Sequence, residues 1–176
     1  MPRPIFELEI AYQGRPLILR ELEPSLPDAG ELLELTNRVA AEGWLGIPVL
    51  AETVDGVVRF LQQAHHRGAV LLGLFDGGAL IGHAGIDPVE AGETDWPGTG
   101  ALVIYLDSPY RSQGLGYSLL AASIGVARRR GFRRLVAATR TGNRAALALY
   151  RKAGFRLVAR MDDPQDGAVF RLELRL

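Results

Sequence analysis

The chain has 176 residues, 48% of them hydrophobic, and equal numbers of basic and acidic side chains. Its length predicts one globular domain over residues 1–176. A formal net charge of zero argues against a nucleic-acid partner, which usually requires a basic excess. The lack of cysteine excludes disulfides and a thiolate nucleophile, and the three histidines form no zinc-binding H-E-x-x-H pattern, so we expect no metal.

The N-terminal sequence MPRPIFELEI lacks the long apolar core of a signal peptide. No apolar run reaches the roughly 20 residues that a membrane-spanning helix needs. We therefore expect a cytoplasmic protein with no membrane partner.

The first half of the chain reads as two hairpins separated by two helices. Runs of β-type residues at 5–10 and 17–22 flank Gln13-Gly14 and predict an N-terminal hairpin. Asp28 is the expected N-cap of the first helix and Thr53 that of the second. The helices are expected to end at Gly43 and Gly68, and strands are expected over 69–75 and 80–86.

The second half alternates strands and helices. Strands are predicted over 102–106, 135–139, 155–160 and 168–176, with a helix after each of the first two. Strand–helix–strand units imply locally parallel pairing, whereas terminal hairpins imply antiparallel pairing. The sequence thus predicts the order β-β-α-α-β-β-β-α-β-α-β-β in a mixed α/β sheet.

A glycine-bearing turn, Arg111 to Gly116, links the strand at 102–106 to the following helix. Gly114 and Gly116 have no side chain, so a ligand can approach the backbone closely. The first N–H groups of a helix have no internal partner, and several of them converging in a turn suit a pyrophosphate. Arg111 adds positive charge. Neither the P-loop pattern nor the complete dinucleotide fingerprint is present.

Two motifs resemble those of the GNAT (GCN5-related) N-acetyltransferases. The turn from Arg111 to Gly116 is similar to the family's acetyl-CoA signature, Q/R-x-x-G-x-G/A after a strand. The stretch from Asn143 to Tyr150, followed by Gly154-Phe155, is similar to its second motif, N-x-x-A-x-x-x-Y-x-x-x-G-F. The resemblance implies a GNAT fold, with a mostly antiparallel sheet of about seven strands, four helices and an N-terminal hairpin extension.

The resemblance also implies roles for individual residues. The strand at 102–106 would part from the strand at 135–139 and pair with pantetheine like an additional strand. The N–H of Leu106 would polarise the thioester carbonyl, and Tyr150 would protonate the departing thiolate. The implied cofactor-binding residues are Ile104, Tyr105, Leu106, Arg111, Ser112, Gln113, Gly114, Leu115, Gly116, Tyr117 and Asn143.

Neither motif supplies a general base. Family branches that acetylate protein N-termini commonly carry a Glu five positions before the Asn, where this chain has Ala138. His83 and Asp107 are the candidate bases, although a histidine in an apolar strand is more often a buried, hydrogen-bonded side chain. Further alternatives are Glu42, Glu93, Asp95 and an ordered water.

The predicted reaction is direct transfer of acetyl from acetyl-CoA to a primary amine of a small molecule or peptide. A protein or antibiotic acceptor, or another acyl group, is an alternative. A non-catalytic acyl-CoA-binding module and a nucleotide-phosphate binder are alternatives from other classes, and Tyr150 with Asn143 argues against a pure binder. Trp44 and Leu45 are expected near the acceptor. The exposed edge of the last hairpin suggests a homodimer.

Overall fold

The computed structural model describes residues 6–43, 53–90, 97–164 and 167–176. Within these ranges, eight strands and four helices follow the predicted order. The elements are β1 (Glu7–Tyr12), β2 (Arg15–Glu21), α1 (Leu26–Ala40), α2 (Val54–Arg67), β3 (Val70–Asp76), β4 (Ala79–Pro88), β5 (Thr99–Leu106), α3 (Leu115–Arg129), β6 (Arg134–Arg140), α4 (Arg144–Lys152), β7 (Arg156–Asp163) and β8 (Gly167–Arg175). Trp44, Leu45, Glu93 and Asp95 lie outside the described residues.

The strands form one sheet in the order β1-β2-β3-β4-β5-β6-β8-β7. Among the described strands, β5 and β6 run parallel and the remaining neighbours are antiparallel. The mostly antiparallel sheet is as expected. It has eight strands rather than about seven, because the N-terminal hairpin pairs with β3 through β2 and so becomes part of the sheet.

A hydrophobic core lies on each face of the sheet. Leu72 of β3 packs in the core beneath α3 and α4, whereas its neighbour Leu71 packs in the core beneath α1 and α2. Alternation along a strand places these side chains on opposite faces. We call them the α3 face and the α1 face. Leu106 belongs to the α3 face and Tyr105 to the α1 face.

The helix ends confirm part of the sequence prediction and correct two points of it. Helix α1 ends at Ala40, with Ala41 as its C-cap, rather than at Gly43. Thr53 accepts the N–H of Gly56 at 3.1 Å to cap α2, as predicted. Asp28 does not cap α1, because Ser25 precedes the helix and its hydroxyl accepts the Asp28 N–H at 3.4 Å. The buried Asp28 carboxylate instead accepts two hydrogen bonds from Arg20, both at 2.7 Å. Among the described residues, no helix is long and apolar enough to cross a membrane.

Candidate functional site

A slot opens between β5 and β6. The two strands pair only from Thr99 to Leu102 on the β5 side. Beyond Leu102, β5 continues to Leu106 paired with β4 alone, and β6 continues to Arg140 paired with β8 alone. The strands therefore part near their C-terminal ends, as predicted, and no other described strand pairs with their facing edges.

The direction of the β5 backbone determines which groups face this slot. Asp107 donates its N–H to Ile81 of the β4 side at 2.8 Å. Because backbone groups alternate along an antiparallel pair, those of Leu106 and Ile104 point the other way, into the slot. By the same alternation, the backbone groups of Tyr105 face β4 rather than the slot, contrary to the prediction. Its hydroxyl lies on the α1 face, 2.7 Å from the hydroxyl of Thr36.

The N-terminus of α3 carries a cluster of backbone N–H groups beside the slot. Gly114 is the N-cap, with φ +84°, and no described side chain caps this helix. Within the part of the chain that the structure describes, the N–H groups of residues 112–116 donate no hydrogen bond. We call this segment the cradle. The N–H of Tyr117, predicted to belong to it, is already bonded to the Gly114 carbonyl at 3.1 Å.

Gly116 brings the cradle close to both β5 and α4. A Cβ atom at this position would lie 3.4 Å from Leu106 and 3.7 Å from Leu149. These are ordinary van der Waals distances, so a larger side chain would push the helix away from its neighbours. The cradle, the end of β5 and the side of α4 therefore meet in one place.

The side chain of Arg111 was predicted to add positive charge beside the anion-binding turn, but it binds other groups. Its guanidinium donates to the Leu106 carbonyl at 2.9 and 2.7 Å and to the Glu42 carboxylate at 2.5 and 2.8 Å. The charge of Arg111 is therefore balanced by Glu42 rather than directed at the cradle. The hydrogen bond from Arg111 also lowers the pKa of Glu42, which makes this carboxylate a weaker base.

Tyr150 of α4 has a buried ring, 4% exposed, that packs against Phe155 with centroids 5.2 Å apart. Its hydroxyl makes no hydrogen bond among the described residues. Burial raises the pKa of Tyr150 above its ordinary value, so the hydroxyl keeps its proton and is better suited to donate a hydrogen bond than to release a proton. Asn143 caps α4 through its side-chain oxygen, 3.1 Å from the Ala146 nitrogen, which leaves its amide N–H groups as donors.

Neither candidate base is well placed to accept a proton. His83 is buried, Nδ1 lies 3.0 Å from the Leu72 carbonyl, and burial lowers the pKa of His83 to about 4. Asp107 accepts hydrogen bonds from Arg38 at 3.1 Å and from the Ser108 N–H at 2.9 Å. Across the described ranges, no group of three or more acidic or histidine side chains could hold a metal ion.

Comparisons with known proteins agree with this geometry. The profile of the Acetyltransferase (GNAT) family matches residues 35–155. The L-methionine sulfoximine/L-methionine sulfone acetyltransferase of Pseudomonas aeruginosa is 34% identical over 111 residues, which cover 63% of this chain and 63% of the relative. The match thus spans less than two thirds of that enzyme.

Solved structures extend the likeness to most of the fold. A GNAT-family acetyltransferase from Streptococcus pneumoniae superposes with a TM-score of 0.81 and 27% identity, covering 91% of this chain and 99% of that one. A phosphinothricin acetyltransferase from Sinorhizobium meliloti in complex with AcCoA has a TM-score of 0.78 and 21% identity, covering 90% and 87%. The slot, the cradle and the family match together identify the chain as a member of the GNAT acetyltransferase family.

Proposed function

We propose that this protein transfers an acetyl group from acetyl-CoA to a primary amine of a small molecule. The observation that carries the proposal is the slot between β5 and β6, which opens beside the cradle of residues 112–116. Acetyl-CoA supplies a thioester, whose acyl carbon is open to direct attack by an amine. No cysteine is needed for such a reaction.

Each part of the site has a distinct task in this proposal. The cradle N–H groups donate to the pyrophosphate, and the helix dipole of α3 favours the same negative charge. Backbone groups of Ile104 bond the pantetheine arm, and the Leu106 N–H polarises the thioester carbonyl, while the Leu106 carbonyl stays bonded to Arg111. Tyr150 donates a hydrogen bond to the sulfur as negative charge develops there, and the amide of Asn143 holds the arm.

We assign removal of the amine proton to water rather than to a protein base. His83 is a weak base because of its burial, and Asp107 and Glu42 are each paired with an arginine. An amine that loses its proton to solvent before attack needs no dedicated carboxylate, only a path for water to the slot.

The acceptor is proposed to carry a carboxylate. The cradle lies at the N-terminus of α3, on the α3 face of the sheet. If CoA occupies that face, the amine approaches the thioester in the slot from the opposite side, the α1 face. On β8, Leu172 packs in the α3-face core, which places its neighbour Arg171 on the α1 face, directly opposite Ala138 of β6. The Arg171 side chain is 40% exposed, and among the described residues it pairs with Glu173 at 3.3 Å. An arginine beside the slot suits an acceptor carboxylate.

The names of the relatives support the same acceptor class, because methionine sulfoximine and phosphinothricin are amino-acid analogues. The test is release of free CoA from acetyl-CoA in the presence of matched amines: amino acids, their carboxamides and the corresponding decarboxylated amines. We expect release with the amino acids first. Binding of acetyl-CoA without release for any amine would favour the alternative of a non-catalytic acyl-CoA-binding module.

Other expectations remain proposals. A homodimer is supported by β7, an edge strand on which Leu157, Val158 and Met161 are exposed. Light scattering tests it directly. Two alternatives stay predictions from the sequence: a protein or antibiotic acceptor, and a different acyl group. So do a single domain over residues 1–176, a cytoplasmic location and the absence of a nucleic-acid partner.

A further inference from the structure

The tip of the N-terminal hairpin contacts the loop that carries the cradle. Tyr12 donates its hydroxyl hydrogen to the side-chain oxygen of Gln113 at 2.6 Å. Gln13 uses its amide to donate to both groups, each at 3.0 Å, and Gln113 donates to the Pro109 carbonyl at 2.9 Å. The Gln113 side chain is therefore held from two sides, by the hairpin and by its own loop.

A second set of contacts holds the same loop further upstream. The hydroxyl of Tyr110 donates to Asp76 at the end of β3, at 2.8 Å, and Asp76 also forms an ion pair with Arg15 of β2. The rings of Tyr12 and Tyr110 lie 6.1 Å apart, within the range for aromatic contact. The hairpin thus reaches the loop directly through Tyr12 and indirectly through Asp76.

The loop needs such support because its backbone is strained. Ser112 has φ +59°, a left-handed conformation that L-residues other than glycine adopt at a cost. Both of its neighbours are anchored by side chains, Arg111 on the Leu106 carbonyl and Gln113 on Tyr12. Surrounding contacts of this kind are what hold a strained residue in place.

We propose that Tyr12 and Gln113 are positioning residues for acetyl-CoA: they hold the cradle N–H groups in a binding orientation before the ligand arrives. The inference rests on the proposed function. It concerns a hairpin that precedes residue 35, where the family match begins. Because a preorganised loop loses less conformational freedom on binding, the hairpin should increase affinity for the donor and leave the chemical step unchanged.

The test measures acetyl-CoA affinity by calorimetry for the wild type, Tyr12→Phe and Gln113→Ala. Tyr12→Phe retains the ring and removes only the hydroxyl. Loss of a hydrogen bond of this kind predicts a dissociation constant about three to ten times higher for either variant. For Tyr12→Phe, which lies outside the cradle, kcat at saturating acetyl-CoA should equal that of the wild type. The matched control is Gln62→Ala, an exposed glutamine on α2, which should bind as the wild type does.

The double variant gives the decisive comparison. If the two side chains act as one unit, Tyr12→Phe with Gln113→Ala should weaken binding no more than Gln113→Ala alone. Wild-type affinity for acetyl-CoA in both single variants, even with lower thermal stability, would overturn the proposal. It would also be overturned if the loss of affinity in the double variant equalled the sum of the losses in the single variants. Gln113→Ala leaves the hairpin sequence intact, so it remains informative if Tyr12→Phe folds poorly. A wild type that does not bind acetyl-CoA would instead contradict the proposed function.

Discussion

Replacing Tyr150 with Phe tests the part of the site nearest the proposed chemistry. The substitution removes a single oxygen from a ring that stays packed against Phe155. The hydroxyl has no hydrogen-bond partner among the described residues, so its removal orphans no buried group there. We therefore expect the free energy of unfolding to change by less than about 1 kcal/mol.

The expected effect on catalysis is much larger. A hydrogen bond to a charged group is worth about 1.5–3 kcal/mol, which corresponds to a roughly 10- to 150-fold fall in kcat. Affinity for acetyl-CoA should hardly change, because the sulfur carries no charge in the ground state. Because the pKa of Tyr150 lies above its ordinary value, the wild type should also show no loss of rate from Tyr150 ionisation up to about pH 10.

Stopped-flow measurement of thiol release under single-turnover conditions, with calorimetry on the same variant, separates the two effects. An unchanged kcat would refute the assigned role of Tyr150. Equal losses of kcat and acetyl-CoA affinity would show that the hydroxyl serves binding rather than the transition state.

Three further predictions concern the rest of the site. His83→Asn should leave the pH–rate profile unchanged. Burial lowers the pKa of the folded wild-type imidazole to about 4, whereas in the unfolded chain it is near 6.5. The free energy of unfolding should therefore fall by up to about 3 kcal/mol as the pH drops from 6.5 to 4. Denaturant titrations should find this pH dependence missing in His83→Asn. Gly114 and Gly68 both have φ +84° and open space around an added methyl group, so replacing either with Ala should cost about 1 kcal/mol of stability. Gly114 belongs to the cradle and Gly68 does not, so only Gly114→Ala should weaken acetyl-CoA binding in calorimetry. Arg171→Gln should raise KM for amino-acid acceptors about tenfold or more while KM for their carboxamides stays within about twofold.

Each of these has a result that would count against it. A shifted acid limb in His83→Asn would return His83 to the candidate bases. Equal weakening of acetyl-CoA binding by both glycine variants would mean that general destabilisation explains the loss. If Arg171→Gln changed amino acid and carboxamide kinetics alike, the carboxylate would bind elsewhere.

The features that could be predicted from the sequence are those set by local patterns. The order of elements follows from hydrophobic periodicity and turn residues, and Thr53 caps its helix as its position indicates. Asp28 failed as a cap because two capping residues lie three positions apart, and the Pro27 between them favours the first turn of a helix over the position before it. Pro27 therefore ranks Ser25 above Asp28 as the cap, a local signal that the sequence prediction did not weigh.

Contacts between distant parts of the chain could not be predicted from local patterns. Arg111 pairs with Glu42, 69 positions earlier, and Gln113 binds Tyr12, 101 positions earlier. No periodicity or motif encodes either contact, because both depend on where the sheet places the ends of α1 and the first hairpin. The motif located the cradle, but the charge of Arg111 beside it holds the loop to the end of β5 and to Glu42, just beyond α1.

Binding of acetyl-CoA by the slot and cradle is tested by calorimetric titration of the wild-type protein with acetyl-CoA, ATP and NAD. We expect saturable binding of acetyl-CoA at one site per chain, much tighter than that of either nucleotide, and weaker binding in Gly114→Ala but not in Gly68→Ala. Failure of acetyl-CoA to bind, or equal binding of all three ligands, would contradict it.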